Sequence, residues 1–360
     1  MKKHIILRVM AMFVVMVSLV LPACGNETSG QQITSTGAET TVQTEQTEPV
    51  ETRREVTIVG EKMRHMNYNI AGSNTLERIP NFDLNEAKRN NIKAYIEELD
   101  PDTFGIQEAP QAWIEGLPGL LDGKYAMVGG YSDEIGKNEK FWYNPIYYKV
   151  DTFNCLDSGV LFLDEGFQYH KNNRNCAFAL LERIADGELV LVLSHHMEHR
   201  VLGSEDLKTL NYTTYYEMTA DRNILRDHQV SYLAQIVSSK LEQYASYGKE
   251  ITVVVSGDFN INRWQDDEFE HEYSRLCETL ASVSLYDSVA ITENVVPNQT
   301  RKEWQTYRET YDVKSPYACL DYIFVSSNVV VDSFTVFNTP HDMGESSDHH
   351  PVYADYYIGH

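Results

Sequence analysis

The stretch Ile251-Thr252-Val253-Val254-Val255-Ser256-Gly257-Asp258-Phe259-Asn260 decides how this chain is read. It is a β-branched strand that runs into a glycine and then presents a carboxylate and an amide at i and i+2. A period of two puts Asp258 and Asn260 on one side. Taken alone, Gly-Asp-x-Asn is equally an Asx turn that caps the strand. The pattern recurs, however: Asn69, Glu108, His196, Asp321, and Asp348 with His349 each stand at or just past the end of an apolar run. Strand ends are where an α/β sheet exposes its chemistry.

Working outward, residues 64–70 form a short strand ending in Asn67-Tyr68-Asn69-Ile70, and residues 84–99 carry Ile92, Tyr95, Ile96 and Leu99 at helical spacing. Asp100-Pro101 stops that helix, and Thr103-Phe104-Gly105-Ile106-Gln107-Glu108 is the next strand, so the chain opens with a β-α-β unit. Residues 144–149 and 160–163 suggest a hairpin. Strands follow at 176–181 and 189–193, the second apolar enough to be buried on both faces. Residues 221–245 read as a helix whose apolar face is Leu225, Tyr232, Leu233, Ile236, Val237 and Leu241. Further strands lie at 319–325, 329–331 and 352–356. Helices among long strands without strict alternation predict an α/β fold in which two sheets pack as a sandwich beneath outer helices.

The N-terminus points to a compartment. Lys2, Lys3 and Arg8 precede an apolar stretch over residues 9–21, too short to be preferred as a spanning helix and typical of a secretory leader. Leu21-Pro22-Ala23-Cys24-Gly25 resembles the lipobox of bacterial lipoproteins, which implies cleavage after residue 23 and a lipid on Cys24. A plain leader with a chance cysteine is the alternative. Residues 25–55 are rich in Thr, Gln, Glu, Ser and Gly and hold no aromatic residue, the composition of a flexible tether. Residues 56–360 show no second composition shift, so one domain is expected there. The chain as a whole would be tethered to the outer face of a membrane as a monomer.

The formal net charge is −23, and loss of the leader's cations makes the remainder more acidic still. Long-range attraction to polyanions is therefore absent, and no basic stripe with interleaved aromatics supports nucleic-acid binding by itself. No apolar hairpin offers itself for bilayer insertion. Cys155, Cys176, Cys277 and Cys319 are widely spaced and include no Cys-x-x-Cys pair, which argues against a zinc cluster and leaves disulfides and free thiols open.

Cleaving a phosphoester with a metal requires oxygen ligands for the cation, a base for water, and donors for the phosphate. Hard cations such as Mg²⁺ or Mn²⁺ prefer oxygen, which favours Glu108 and Asp348 over any histidine. Asp258 is suited to orient and deprotonate water while Asn260 donates to phosphoryl oxygens. Ser194-His195-His196-Met197-Glu198-His199 brings three imidazoles into a short span, for which zinc is the alternative reading. Asp321 is a single charge in an apolar strand and needs a partner; His349 is a natural one.

In this order the motifs resemble the endonuclease/exonuclease/phosphatase superfamily over roughly residues 62–357. Glu108 looks like its metal-binding glutamate and Asn69 like its first-strand asparagine, so the resemblance implies a metal site of Asn69, Glu108 and Asp348. His196, Asp258, Asn260, Asp321 and His349 are similar to its catalytic set. Asn144 and Tyr147 resemble its phosphate-side hairpin residues, Arg174 an arginine of its bacterial branch, and His199 the second histidine of its His motif. The implied fold is a four-layer α-β-β-α sandwich, two mixed sheets face to face with outer helices. The implied activity is metal-dependent hydrolysis of a phosphomonoester or phosphodiester. Nucleic acid, phospholipid head groups and small phosphoesters all remain candidate substrates, and a silent lipoprotein that binds a phosphorylated ligand or sugar is the alternative. Ser194 and His195 replace the Asn-Thr usual before the first histidine. Trp142 stands where bacterial relatives often carry glutamate, and the Tyr-rich insertion at residues 200–219 is either a substrate-facing loop or padding.

Overall fold

Strand and helix alternate along the chain as β1 (Ile58–Asn69), α1 (Glu86–Leu99), β2 (Thr103–Gln107), α2 (Gln111–Leu120), β3 (Tyr125–Val128) and β4 (Ile146–Lys149). There follow β5 (Phe153–Phe162), β6 (Asn175–Arg183), β7 (Leu189–His196), α3 (Tyr215–Tyr244) and β8 (Ile251–Asp258). The last elements are α4 (Glu272–Ala281), β9 (Leu285–Asp287), α5 (Ser288–Ile291), β10 (Asp321–Ser326), β11 (Val329–Val336) and β12 (Val352–Gly359). These come from a computed structural model, which describes residues 56–72, 86–130, 143–163, 174–199, 215–265, 271–292, 305–306, 318–337 and 346–360. The leader, the tether with Cys24, Trp142 and residues 200–214 of the insertion lie outside the described residues. Among those described, no helix is long and apolar enough to cross a membrane.

The strands form two mixed sheets of six, ordered β11-β12-β1-β2-β4-β3 and β5-β6-β7-β8-β10-β9. Three apolar clusters separate four layers. Ile92, Tyr95 and Ile96 of α1 and Trp113, Ile114 and Leu117 of α2 cover the outer face of the first sheet. Leu233, Ile236 and Val237 of α3 and Leu276 and Leu280 of α4 cover the second. Between the sheets lie Val190, Val192, Val254, Ile323, Val331 and Ala354. The sequence reason is alternation. On β7 and β8, Leu191, Leu193, Val253 and Val255 face the helices while Val190, Val192 and Val254 face the other sheet, so both strands are buried on both faces.

The expected sandwich is present, but one expected hairpin is not. β4 pairs with β2 and β3 in the first sheet, whereas β5 pairs with β6 in the second. The turn between them hands the chain from one sheet to the other. The reason is visible in β4: β2 occupies one of its edges and β3 the other, so no edge is open to β5. The four described cysteines beyond the tether, Cys155, Cys176, Cys277 and Cys319, are not joined to one another by disulfides. Burial pushes the Cys319 thiol up to about 12.

Candidate active site

Register builds the centre of the site. His196 of β7 is paired with Asp258 of β8, and Asp258 is paired with Asp321 of β10, so three inward-facing groups stand abreast at one end of the second sheet. Opposite them, the inward positions of β1 are His65, Asn67 and Asn69, all fully buried. The loop before β12 brings His349, whose Nδ1 lies 2.7 Å from Asp321 Oδ2 and whose Nε2 lies 3.7 Å from Asp258 Oδ2.

Each carboxylate oxygen of Asp258 is held by one donor. Its Oδ1 accepts from the Asn260 backbone N–H at 2.9 Å, and its Oδ2 accepts from Asn69 Nδ2 at 3.0 Å. The Asx turn and the site are therefore the same structure. Glu108, Asn260 and Ala71 all have positive φ, at 55°, 53° and 46°. Non-glycine residues in this region mark backbone held in place by its surroundings, here three loop residues around one cluster.

Electrostatics set the pair apart. Burial pushes Asp258 up to about 7 against the pull of the His349 cation, with the Asp321 charge adding to the rise. Burial alone would lower His349, yet the Asp321 carboxylate outweighs it through charge and hydrogen bond and raises the imidazole to about 10. His196 is driven well below its usual value by burial and by the Arg174 charge, and so is neutral.

Two expected roles change in detail. Asn69 was placed among the metal ligands, but its Oδ1 accepts from Ala71 N at 3.0 Å while its Nδ2 faces both Glu108 Oε1, at 3.3 Å, and Asp258 Oδ2. It bridges two carboxylates. Asn260 was expected to donate to phosphate, but its Nδ2 points to Met197 O and to His196 Nε2, each at 3.0 Å. Because a carbonyl only accepts, this orientation makes His196 Nε2 the acceptor and fixes the tautomer.

The expected phosphate-side residues separate. Arg174 pairs with Glu198, Nη2 to Oε1 at 3.1 Å, and Glu198 also takes His199 Nδ1 at 2.7 Å. Glu198, Glu108 and Asp258 keep the buried guanidinium charged against desolvation, which places its charge within reach of the cluster. Asn144 commits its amide nitrogen elsewhere: it donates to Asn175 O at 2.8 Å and fastens the strand beside Arg174. Tyr147 is a core residue, not a phosphate ligand. Its ring stacks on Phe104 with centroids 4.6 Å apart, on the face toward α1 and α2, because one step along β4 reverses the side.

Sequence reading missed Lys88, Glu198, Asn67 and Gln107. Lys88 of α1 is 1 % exposed and donates to Ala71 O at 3.0 Å. Burial lowers it to about 8, opposed by the charges of Glu108 and Asp348, so both carboxylates stand near one ammonium. Lys88 had a signal: it stands four residues before Ile92, on the same buried stripe of α1 as Ile92, Tyr95, Ile96 and Leu99. Asn67 had one too: His65-x-Asn67-x-Asn69 makes three successive inward positions polar.

The donor set suits a hard divalent cation. Asp258, Asp321 and His349 bring three ligand atoms within 4.8 Å of one another, and Glu108 and Asp348 add carboxylate oxygens at the same end of the sheets. Since His349 Nδ1 is committed to Asp321, the carboxylates are the better ligands for such an ion.

The comparisons with known proteins agree with this picture. The sequence model of the endonuclease/exonuclease/phosphatase family matches residues 66–349. No curated protein matches the chain by sequence. The fold is similar to that of an endonuclease/exonuclease/phosphatase protein from Bacteroides vulgatus, with 20% identity, a TM-score of 0.61, and coverage of 83% of this chain and 100% of that one. It is also similar to a mannosyl-6-phosphatase from Bacteroides thetaiotaomicron, at 20% identity and TM-score 0.56 over 82% and 99% of the two chains. D. rerio TDP2 in complex with single-strand DNA product shares 15% identity, TM-score 0.53, over 82% and 98%. A four-layer sandwich, strand-end carboxylates abreast of two imidazoles, and a family match spanning most of the chain lead to one assignment: this protein belongs to the endonuclease/exonuclease/phosphatase family.

Proposed function

We propose that this chain is a divalent-metal-dependent phosphoesterase that hydrolyses a phosphodiester or phosphomonoester. The observation that carries the reading is the row His196–Asp258–Asp321 capped by His349, in which a carboxylate lifted to about 7 adjoins an imidazole lifted to about 10. Paired groups whose environments move their pKa values apart are suited to acid–base work at neutral pH.

Asp258 takes a proton from the attacking water. Asn69 holds Asp258 Oδ2 in place, and Asn260 N–H holds Oδ1. His349, kept charged by Asp321, offers its Nε2–H to the phosphoryl group or the leaving oxygen. Arg174 adds a fixed positive charge, itself oriented by Glu198. Glu108 and Asp348 would hold the cation, which supplies Lewis-acid polarisation of a phosphoryl oxygen and neutralises charge that develops there. The relatives named above include a phosphatase and a protein seen with a DNA product, so the family chemistry supports both ester classes. The leader and Cys24 support an extracytoplasmic, lipid-anchored placement, which a shift of Cys24→Ala into the soluble fraction would test.

The deciding experiment assays the full-length protein with bis-p-nitrophenyl phosphate, p-nitrophenyl phosphate and supercoiled plasmid, with and without Mg²⁺ or Mn²⁺. Metal-dependent turnover that disappears in Asp258→Ala is the expected result. Turnover that survives in that variant, or none on any substrate by the folded protein, overturns the proposal.

A further inference from the structure

Asp321 has two carboxylate oxygens, and only one of them is used by His349. The other, Oδ1, is reached from the opposite sheet by Asn67 Nδ2 at 3.4 Å. Asn67 Oδ1 in turn accepts from Gln107 Nε2 at 2.8 Å, and the same Gln107 nitrogen donates to Ser194 Oγ at 3.1 Å. The polarity of this chain is not free to reverse. A carboxylate only accepts, so Asn67 must show Asp321 its NH₂; its carbonyl must then face Gln107, which must show its own NH₂. All three of Asn67, Gln107 and Asp321 are fully buried, so no water competes for these positions.

From this geometry we infer that Asn67 is a positioning residue for the Asp321–His349 pair, with Gln107 setting the direction of its amide. Without Asn67 the Asp321 carboxylate would be tethered at one oxygen and could rotate about its Cβ–Cγ bond, carrying the His349 ring with it. Space for the link is provided at Gly105, where a Cβ would stand 2.6 Å from Ser194 Oγ, so the two sheets meet closely at this layer. A matched contact lies one step deeper: His65 Nε2 to Ser256 Oγ at 2.8 Å, equally buried and equally inter-sheet, but not attached to Asp321.

The catalytic consequence rests on the phosphoesterase reading above; the effect on the ring does not. In the full-length protein with Mg²⁺ and bis-p-nitrophenyl phosphate, Asn67→Ser should lower kcat about tenfold with KM within twofold. Ser256→Ala, which breaks the deeper contact, should leave kcat within twofold. In histidine-labelled, metal-free protein, the His349 ring N–H resonance, identified by its loss in His349→Gln, should shift or broaden in Asn67→Ser and stay in place in Ser256→Ala. Unchanged kcat in Asn67→Ser, or an equal fall in Ser256→Ala, overturns the inference. If the wild-type protein hydrolyses no phosphoester, the functional reading fails by itself; the resonance then decides alone, and an unmoved signal in Asn67→Ser overturns the positioning role.

Discussion

Between the two sheets the same strands carry two kinds of interior. The inward positions of β7 read Val190, Val192, then Ser194 and His196; those of β8 end in Val254, Ser256 and Asp258; β10 runs in the opposite direction from Asp321 to Ile323 and Val325. One half of the layer is hydrocarbon and the other half is a network of hydrogen bonds. The apolar half gains stability from burial in proportion to its area. The polar half contributes little net stability even when fully paired, and costs heavily wherever a partner is lost. The lesson is that one pleated surface can hold a domain together at one end and keep reactive groups in a dry, fixed array at the other.

The largest expected effect breaks the polar half. Asp258→Ala should lower kcat by roughly 10²–10⁴, since it removes the proposed general base; a variant that retains activity would separate Asp258 from the chemistry. The converse is Ile323→Ala, fully buried two residues along the same strand from Asp321. It should cost roughly 2–5 kcal/mol in urea unfolding with kcat within twofold, and a large kcat loss would mean that the halves are coupled.

A pH series sharpens the comparison. Because Asp258 is raised from 3.8 to about 7 in the folded protein, the folded state binds the extra proton, and stability should fall as pH rises from about 4 to 7 in the metal-free protein. Asp258→Asn should flatten that loss, as followed by thermal melts between about pH 4 and 7. Activity has the opposite sign, since the base must be ionised, and should decline below about 7. The smallest effect concerns His195, which lies on the helix side of β7, edge-on to Phe259 with centroids 4.3 Å apart and neither ring nitrogen hydrogen-bonded. Burial lowers it from 6.5 to about 3, so it weakens the fold as pH drops below 6.5. His195→Leu should gain about 1 kcal/mol at pH 5 and little at pH 8.

These halves were not equally legible in the sequence. The strand-end motifs stood out because a charge closing an apolar run is unusual, and Asp258, Asp321, His196 and His349 do meet. Asn67 and Gln107 were hidden by their neighbours: each looks like an ordinary polar position in an alternating strand until the opposite sheet supplies its partner. Tyr147 was misplaced because its motif gave the right strand and the wrong face. The hairpin expected across 144–163 failed for a related reason, since local turn signals cannot show that two adjacent strands enter different sheets. Arg174 and Glu198 illustrate a pair that spacing could not join, although both are nearly or fully buried charges that must find each other.

The pairing of β1 with β12 has a consequence for when the protein becomes competent. Met63 to Asn67 register against Tyr356 to Val352, so the strand carrying Asn67 and Asn69 is flanked on one side by a strand about 290 residues away in sequence. Contacts so distant in sequence form late, after a large loop has been closed. Asp348 and His349 arrive with that same closing segment. A growing or unfolded chain therefore keeps the residues of the candidate site apart, and Asn67 and Asn69 meet Asp348 and His349 only once β1 and β12 have paired.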